Sequence, residues 1–483
     1  MLNVSEQEIL DRMVSDNPWW LPGGGVAAFY TDLGKRDYFE GFYSLLAKSE
    51  VRRAVVLMGP RRVGKTVMLF QSVHELLGSG VEPSRVLYLS VDQPIYQGMA
   101  LDKLVSMFMA RNGIARGDRM YVLFDEIQYL QDWERHLKGL VDAYLAGRFA
   151  VSGSAAAALK RKSDESGAGR FTDYLLPPLT FAEYLALVGT EKELIGDEDV
   201  RGNYEVRDIE GLNNEFVNYL NYGGYPEAVA DPEVRKDPER FIRRDIVDKV
   251  LLRDLPSLYG IQDIQELNRL FNTLAYNTGN ILSLDNLSQS SGVSRDTIRK
   301  YIEYLEAAFL IRKVRRVDQN GKRFQRERNF KIYLTNPSMR AALFSSVTAD
   351  SDAMGALAET AVFSQWFHSD EQLMYAHWKG GEVDSVLFDF EGRPAGCLEV
   401  KWTDRYFEHV DELSGLIMFA KKTGLDLRSK IPGLVVVTTK TKLGRKNIDG
   451  VQVEFIPTSL NCYTVGKNIV MSKSYALENL NEG

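Results

Sequence analysis

Residues that build disulfide frameworks and metal sites are scarce in this sequence. Its 483 residues include two cysteines, Cys397 and Cys462, and five histidines, none of them in an HExxH pattern. So few cysteines exclude a disulfide scaffold, and the scattered histidines exclude a zinc site with the usual Cys and His spacing. The cysteine content is typical of a protein in a reducing cytoplasm.

The sequence also lacks a long apolar run and an excess of positive charge. The first 30 residues are acidic and show no basic and apolar signal pattern, and no apolar run is long enough to span a bilayer. Lysine and arginine number 59 against 66 aspartates and glutamates, a net charge of -7. Bulk charge therefore does not hold the chain to nucleic acid or anionic lipid, and we expect no membrane partner.

Short apolar runs alternate with amphipathic stretches in the first third of the chain. We predict strands over 54–58, 86–92, 120–125 and 149–154, each followed by a helical pattern. Their near-continuous Val, Leu and Phe content is typical of strands covered on both faces of a parallel sheet. The length allows about three domains at roughly 150 residues each. The expected fold class is therefore α/β for this part of the chain.

A phosphate-binding motif follows the first of these strands. Gly59 to Thr66 reads GPRRVGKT, which matches GxxxxGK[ST] between an apolar strand and a helix that ends near Gly78. Glycine lets the backbone approach phosphates, a lysine reaches the β and γ phosphates, and a threonine hydroxyl ligates magnesium. The predicted nucleotide-binding residues are Gly59, Pro60, Arg61, Arg62, Val63, Gly64, Lys65, Thr66 and Val67.

The strand that ends in VLFDEIQ supplies a pair of carboxylates. Asp125 is predicted to hold magnesium together with Thr66, and Glu126 to deprotonate the attacking water. The next strand ends in Ser152 and Ser154, of which Ser154 is a candidate sensor of the γ-phosphate. No NKxD-like tetrad for reading guanine is present, so ATP and Mg²⁺ are the expected ligands.

Ordered segments across the chain resemble a known family. GPRRVGKT, FDEIQ, VSGS with SGAGR, PLTFAEYL, YGGYPEA, GALAETAVF, GEVDSVLF and CLEVK are similar to segments of the predicted AAA-superfamily ATPases of bacteria and archaea that carry a C-terminal domain of unknown function. The resemblance implies an ATPase core, a winged-helix region and a terminal α/β fold similar to restriction endonucleases of the PD-(D/E)XK type. It implies no agreed biological role.

These observations predict five regions. They are an N-terminal segment over 1–38, a P-loop ATPase domain over 39–180, a helical lid over 181–262, a winged-helix domain over 263–335 and a nuclease-like domain over 349–483. Arg170, in SGAGR, is a candidate arginine finger that acts in cis or on a neighbouring subunit of a homo-oligomer. It is equally compatible with an ordinary surface arginine.

The region over 263–335 has the pattern of a helix-turn-helix followed by a hairpin. Helices are predicted over 264–275, 284–290 and 294–307, with Gly292 in the turn, Ser294 as N-cap and a wing that turns at Asn320 and Gly321. Candidate DNA contacts are Arg295, Arg299, Lys300, Arg312, Arg315, Arg316, Lys322 and Arg323, and Lys331 belongs to the same basic segment. A solvated basic face used for protein contacts is the alternative.

The last region carries the spacing of a phosphodiesterase site. Asp384 lies in one apolar strand, Glu399 and Lys401 alternate on the next, and Glu359 lies in a helix upstream. The three carboxylates are candidate magnesium ligands, and Lys401 is a candidate to polarise water or stabilise phosphorane charge. A nuclease fold retained only for binding is the alternative.

Together these patterns predict an Mg²⁺-dependent ATPase coupled to DNA binding and to a nuclease-like domain, in defence against or control of foreign DNA. The alternative is a nucleotide-gated signalling or assembly switch whose C-terminal domains are interaction surfaces. A nucleic-acid-binding protein with a vestigial P-loop is disfavoured, because Lys65, Thr66, Asp125 and Glu126 are all present.

Overall fold

A computed structural model describes residues 5–48, 51–154, 169–200, 202–324, 328–369, 371–428 and 435–479. The chain divides into two compact units, one of Met1–Pro177 with Val470–Gly483 and one of Pro178–Ile469. Among the described residues, no helix is both long and apolar enough to cross a membrane.

The first unit is built on a five-stranded parallel sheet. Its strands are β1 (Ala54–Met58), β2 (Val86–Ser90), β3 (Met120–Asp125), β4 (Gly147–Gly153) and β5 (Phe171–Leu175), in the order β2-β3-β4-β1-β5. Its α-helices are α1 (Glu6–Asp16), α2 (Ala28–Thr31), α3 (Phe39–Tyr43), α4 (Lys65–Gly78), α5 (Leu101–Asn112) and α6 (Trp133–Ala143).

The predicted α/β class of this unit is confirmed. The four predicted strands are present, and every residue of β1 and β3 is buried, as expected for strands covered on both faces. Helix α4 starts at Lys65, within the last two residues of the phosphate-binding motif. Strand β5 was not predicted, because its sequence FTDYL carries polar residues where it forms one edge of the sheet.

The N-terminal segment covers the other edge of this sheet. The Asn17 side chain accepts from the Tyr88 backbone N–H at 2.7 Å and donates to the Tyr88 carbonyl at 2.9 Å, as a neighbouring strand would. The indole N–H groups of Trp19 and Trp20 both donate to the carbonyl of Val86. These bonds satisfy backbone groups of β2 that would otherwise be open to another strand. The segment is therefore an integral part of the first unit.

The second unit combines helices with a mixed sheet. Its α-helices are α7 (Phe181–Val188), α8 (Glu191–Leu194), α9 (Ile209–Tyr222), α10 (Pro226–Ala230), α11 (Pro232–Lys236), α12 (Pro238–Arg240), α13 (Leu255–Tyr259), α14 (Ile264–Tyr276), α15 (Leu284–Ser291), α16 (Arg295–Ala307), α17 (Ser338–Phe344), α18 (Met354–Trp366), α19 (Arg405–Glu408), α20 (Ser414–Thr423), α21 (Leu425–Arg428) and the start of α22 (Thr458–Asn479). π-Helical turns cover Phe241–Asp248 and Val250–Asp254.

The strands of this unit form a two-stranded and a nine-stranded sheet. They are β6 (Ile195–Glu198), β7 (Tyr204–Val206), β8 (Ile281–Ser283), β9 (Ile311–Val317), β10 (Asn329–Leu334), β11 (Leu373–Trp378), β12 (Gly381–Phe388), β13 (Pro394–Glu399), β14 (Val435–Thr439), β15 (Gly444–Ile448) and β16 (Val451–Pro457). The large sheet has the order β15-β16-β14-β13-β12-β11-β9-β10-β8.

One strand pairing joins two regions that the sequence predicted as separate domains. The helices over 264–275, 284–290 and 294–307 are observed as α14, α15 and α16, with Gly292 at φ +75° and Ser294 as N-cap. The predicted hairpin is observed as antiparallel β9 and β10. However, β9 also pairs in parallel with β11, so the hairpin lies inside the nine-stranded sheet. The helix-turn-helix region and the terminal region therefore share one sheet.

Candidate functional site

The backbone of the phosphate-binding loop allows only small residues at two positions. A Cβ on Gly59 would lie 2.1 Å from the carbonyl oxygen of Leu176, and Gly64 has φ +97°, which favours glycine. Arg62 adopts φ +64° in the middle of the loop. The nine predicted nucleotide-binding residues thus form a tight turn between β1 and the first turn of α4, and the backbone N–H groups at such a helix N-terminus attract anions.

Two buried cations hold this loop. The ammonium of Lys65 donates to the carbonyls of Gly59 at 2.9 Å and Pro60 at 2.8 Å. The guanidinium of Arg36, 8% exposed, donates to the carbonyls of Val63 at 2.9 Å and Pro177 at 3.1 Å. Arg36 thereby ties the loop to the segment that follows β5. Sequence reasoning missed it, because Arg36 lies far from the motif and belongs to no fixed spacing.

Asp125 accepts hydrogen bonds from α4, from the strands β2 and β4, and from the residue that follows it in the chain. Its Oδ2 accepts from Thr66 Oγ1 at 2.7 Å and from the Tyr88 hydroxyl at 3.0 Å. Its Oδ1 accepts from the Ser152 hydroxyl and from the N–H of Glu126. The structure thus brings the predicted pair Thr66 and Asp125 together and adds Tyr88 and Ser152 to them.

Glu126 is held beside this network in a strained conformation. It has φ +55°, a region that non-glycine residues seldom adopt, which is typical of functional positions. Burial, together with the nearby charge of Asp125, raises the pKa of Glu126 above its ordinary value, although Lys65 opposes this. The Gln128 amide donates to Glu126 Oε2 and accepts from the N–H of Ser154. Gln128 therefore links Glu126 to Ser154.

Arg170 lies away from these residues. Its carbonyl accepts from the N–H of Ala54, at the start of β1, whereas the loop follows the end of β1. Its guanidinium pairs with Asp142 at 2.6 Å, and both side chains are exposed. Residues 166–168 of the SGAGR segment lie outside the described residues. The structure does not bring Arg170 to the loop of its own chain, and its action on a neighbouring subunit stays a prediction.

The predicted residues of the terminal site converge in the second unit. Lys401 Nζ lies 2.8 Å from Glu399 Oε1 and 3.9 Å from Asp384 Oδ2, and the N–H of Val400 donates to the same Asp384 oxygen at 2.9 Å. The hydroxyls of Thr438 and Thr458 donate to the carbonyl of Lys401. Asp384, Glu399 and Lys401 thus form one cluster, as the spacing predicted.

A second lysine belongs to this cluster and corrects one sequence prediction. Lys331 was counted with the exposed basic segment, but it is 3% exposed. Its Nζ lies 2.7 Å from Glu382 Oε1, 2.9 Å from Glu359 Oε1 and 3.4 Å from Asp384 Oδ1. A lysine inside the apolar strand sequence NFKIYL was the available signal of burial.

Burial and charge repulsion raise the pKa values of two acids of the cluster. Burial, and then the charge of Asp384, raise the pKa of Glu359 to about 7 and that of Glu399 to about 8. The Tyr333 hydroxyl donates to Glu359 at 2.5 Å. Burial lowers the pKa of Lys331, but its charged neighbours outweigh burial and raise it well above the ordinary value.

An open cavity of about 510 Å³ borders the cluster. It is lined by Glu359, Asp384 and Lys401, and by Trp402 and Tyr406. Within the described residues, no group of three or more His, Cys, Asp or Glu side chains has an arrangement that could hold a metal ion. The predicted magnesium ligands Glu359, Asp384 and Glu399 are close together, and their role as metal ligands stays a prediction.

The predicted DNA contacts on the helix-turn-helix are partly neutralised. On α16, Arg295 pairs with Asp285 and Arg299 pairs with Asp296, each at 2.7 Å, whereas Lys300 is exposed. These ion pairs lie on the surface and are readily exchanged for other partners.

The basic hairpin presents a different surface. Arg312 and Arg315 are exposed on β9, and Lys322 and Arg323 are exposed near its turn. Arg316 is half-buried, and its Nε donates to the carbonyl of His377 at 2.9 Å. Arg326, in the same basic segment of the sequence, lies outside the described residues. Four of the predicted hairpin contacts are therefore accessible, and Arg316 serves the sheet instead.

Comparison with known proteins agrees with the geometry of the first unit. A family described as "AAA domain" matches residues 51–185, which include the loop, Asp125 and Glu126. The first unit therefore contains an AAA-type P-loop ATPase domain. Residues 213–351 match a family described as "Domain of unknown function (DUF8612)".

Sequence similarity to other proteins extends beyond the ATPase domain. An uncharacterized protein of Haemophilus influenzae is 26% identical over 290 residues, which cover 59% of this chain and 68% of the relative. Uncharacterized protein MJ1637 of Methanocaldococcus jannaschii is 24% identical over 329 residues, covering 65% and 68%. The replication initiator DnaA bound to AMPPCP and single-stranded DNA matches with a TM-score of 0.29 and 14% identity, over 58% of this chain and 92% of that one. A TM-score below 0.5 supports no conclusion about this chain.

The oxygen atoms of the ATPase domain fit a magnesium ion. Thr66 Oγ1 and Asp125 Oδ2, 2.7 Å apart, are a hydroxyl and a carboxylate of the kind that Mg²⁺ prefers alongside phosphate oxygens. Among the described residues, neither oxygen forms an ion pair with a lysine or arginine, in contrast to the carboxylates around Lys331. Thr66 and Asp125 are thus the residues that would hold the ion.

Proposed function

We propose that this protein is an Mg²⁺-dependent ATP hydrolase. The AAA domain supports nucleotide binding, and the observation that carries the proposal is the joint placement of Thr66, Asp125 and Glu126 beside the loop. A magnesium ion held there would neutralise phosphate charge as the γ-phosphoryl group is transferred to water.

Each side chain then has one task. The Lys65 ammonium is placed to exchange the carbonyls of Gly59 and Pro60 for the β and γ phosphates. Glu126 accepts the proton of the attacking water, whose oxygen forms the new bond to the γ-phosphorus while the bond to the β-γ bridging oxygen breaks. Gln128 fixes the direction of the Glu126 carboxylate.

Two substitutions separate binding from turnover. Lys65→Ala is expected to abolish ATP binding, whereas Glu126→Gln should bind ATP like the wild type and lose at least about 100-fold in kcat. Glu82→Gln, at an exposed carboxylate of the same unit, is the matched control and should hydrolyse ATP normally. Equal kcat for Glu126→Gln and the wild type would remove Glu126 from the role of base.

We further propose that the hairpin contacts DNA. The supporting observation is the set of exposed cations at Arg312, Arg315, Lys322 and Arg323, on a protein whose net charge is negative. Because such contacts are to phosphates, they confer affinity rather than sequence preference. A role in the control of foreign DNA is the corresponding biological proposal.

For the terminal site, the ion pairs of both lysines favour the nucleotide-gated switch over the nuclease. Incubation of supercoiled DNA with Mg²⁺ or Mn²⁺, with and without ATP, distinguishes the two. Unchanged DNA with intact ATP hydrolysis supports the switch. Strand scission that Asp384→Ala and Lys401→Ala both abolish would instead establish a nuclease.

A further inference from the structure

Lys331 is a buried cation in the terminal site that reaches its partners from a distant strand. In the order β12-β11-β9-β10, two strands separate Lys331 from Glu382 and Asp384 on β12. Its ammonium passes over the ring of Tyr375, at 5.4 Å from the ring centre, and meets Glu359 of α18 at 2.9 Å. A side chain this buried, with three carboxylate partners, is fixed in position.

The two lysines together contact every carboxylate that the sequence predicted as a metal ligand of the terminal site. Lys331 takes Glu359 Oε1 and Asp384 Oδ1, and Lys401 takes Glu399 Oε1 and lies near Asp384 Oδ2. A divalent cation at Glu359 and Asp384 would need the volume that the Lys331 ammonium fills, and the two positive charges would repel each other.

We propose that Lys331 is the resident cation of the terminal site and excludes a divalent metal ion from Glu359 and Asp384. An ammonium group neutralises these carboxylates through hydrogen bonds and charge, where a metal ion would do so through coordination and charge. Unlike a metal ion, the ammonium group offers no vacant coordination position to a ligand. The cavity beside Lys401 then receives its ligand without a metal bridge.

The terminal site contains residues from two regions of the sequence. Lys331 and Tyr333 both lie on β10, which follows the helix-turn-helix, and both contact Glu359. Residues 349–483 alone therefore lack the two partners on β10 that contact Glu359. The terminal site is complete only when β10 is present.

Metal binding to the full-length, nucleotide-free protein tests this role without any assay of activity. Mn²⁺ is titrated by calorimetry into the wild type and Lys331→Met, each with and without Asp384→Asn, so that binding at the ATPase domain is subtracted. The wild type should show no Mn²⁺ site that Asp384→Asn removes. Lys331→Met should gain a Mn²⁺ site that Asp384→Asn removes. If the wild type shows any weak binding of this kind, the Kd of Lys331→Met for Mn²⁺ should be at least tenfold lower. Lys322→Met, at an exposed hairpin lysine, is the matched control.

Loss of a buried cation can destabilise the fold, so a second variant reduces the excess negative charge. Lys331→Met with Glu382→Gln removes one charge of each sign and keeps Glu359 and Asp384; Glu382 is 37% exposed. Gain of the Mn²⁺ site in this variant supports the role of Lys331. A wild-type Mn²⁺ site that Asp384→Asn abolishes and Lys331→Met leaves unchanged would overturn it, whatever the ATPase domain does.

Discussion

The hydroxyl of Tyr88 donates to Asp125 Oδ2 at 3.0 Å, and Thr66 donates to the same oxygen at 2.7 Å. Tyr88 lies on β2, and its backbone is bonded on the outer side by the Asn17 side chain. The N-terminal segment is thus connected through one residue to the carboxylate that would hold magnesium. The Tyr88 hydroxyl thereby helps to set the direction of the Asp125 carboxylate.

Tyr88→Phe should therefore weaken the response to magnesium. Loss of one hydrogen bond to a charged group, about 1 to 2 kcal/mol, predicts a 5- to 30-fold rise in the Mg²⁺ concentration for half-maximal ATP hydrolysis. At saturating Mg²⁺, kcat should change little. Tyr96→Phe removes a comparable bond, to Asp16, and is the control. An unchanged Mg²⁺ dependence in Tyr88→Phe would show that Asp125 is positioned by other residues.

Arg36 predicts a separate effect on the phosphate-binding loop. Arg36→Ala leaves the carbonyls of Val63 and Pro177 without their buried donor, which should cost about 2 to 3 kcal/mol of unfolding free energy and weaken ATP binding. Lys35→Ala, which breaks an exposed pair with Glu75, should cost less than about 1 kcal/mol. Denaturant unfolding and nucleotide titration measure both. Equal losses in the two variants would argue against a special role of Arg36.

Local patterns and distant contacts differ in how far the sequence predicted them. The loop, Asp125 and Glu126 were predicted because phosphate chemistry needs fixed residue types at fixed spacing. Tyr88 and Arg36 were missed, since each reaches the site across the fold and no spacing marks it.

Lys331 was correctly predicted to belong to a basic segment, but its expected exposure to solvent was wrong. A run of basic residues usually lies in solvent, which is true of Arg312 and Arg315. The pairing of β9 with β11 places the strand next to it, β10, inside a wide sheet, and this pairing is not visible in the sequence of the hairpin. The nuclease-like spacing of Asp384, Glu399 and Lys401 was predicted. The position of the Lys331 ammonium beside Asp384 and Glu359 was not.

The raised pKa of Glu126 predicts an acid limb in the rate of ATP hydrolysis. The base must be ionised, so kcat should fall as the pH decreases through a pKa that burial has moved above the ordinary value of 4.5. The hydrogen bond from Gln128 opposes this shift. Gln128→Ala should therefore move the acid limb to higher pH, as measured by kcat between pH 5 and pH 9. A limb that stays in place would separate Gln128 from the ionisation of Glu126.

The terminal cluster predicts a pH dependence of stability. The folded protein holds protons on Glu359 and Glu399, with pKa values of about 7 and about 8, more tightly than the unfolded chain does at 4.5. This contribution is complete below the unfolded pKa and is lost as the pH rises through the folded pKa values. Between pH 5.5 and pH 8.5 the second unit should lose at least about 1 kcal/mol.

Glu399→Gln tests the source of that loss. The amide cannot ionise, so the difference in unfolding free energy between pH 5.5 and pH 8.5 should shrink, as measured by denaturant titration at each pH. Glu391→Gln, at an exposed carboxylate, is the control and should leave the difference unchanged. A difference of the same size in Glu399→Gln and the wild type would contradict a protonated Glu399 in the folded protein.

The basic residues of the hairpin and of α16 should contribute unequally to DNA affinity, because they differ in their partners. Arg312 and Arg315 are exposed on β9, whereas Arg295 and Arg299 are each paired with an aspartate. Reversal of Arg312 and Arg315 to glutamate should weaken binding to duplex DNA and reduce the slope of log K against log salt by about 2. Arg295→Ala with Arg299→Ala should change the slope less, since each arginine already has an intramolecular counterion that phosphate must displace. Fluorescence anisotropy across a salt series measures both slopes. If the helix variant lost more slope than the hairpin variant, the DNA surface would lie on α16 rather than on β9.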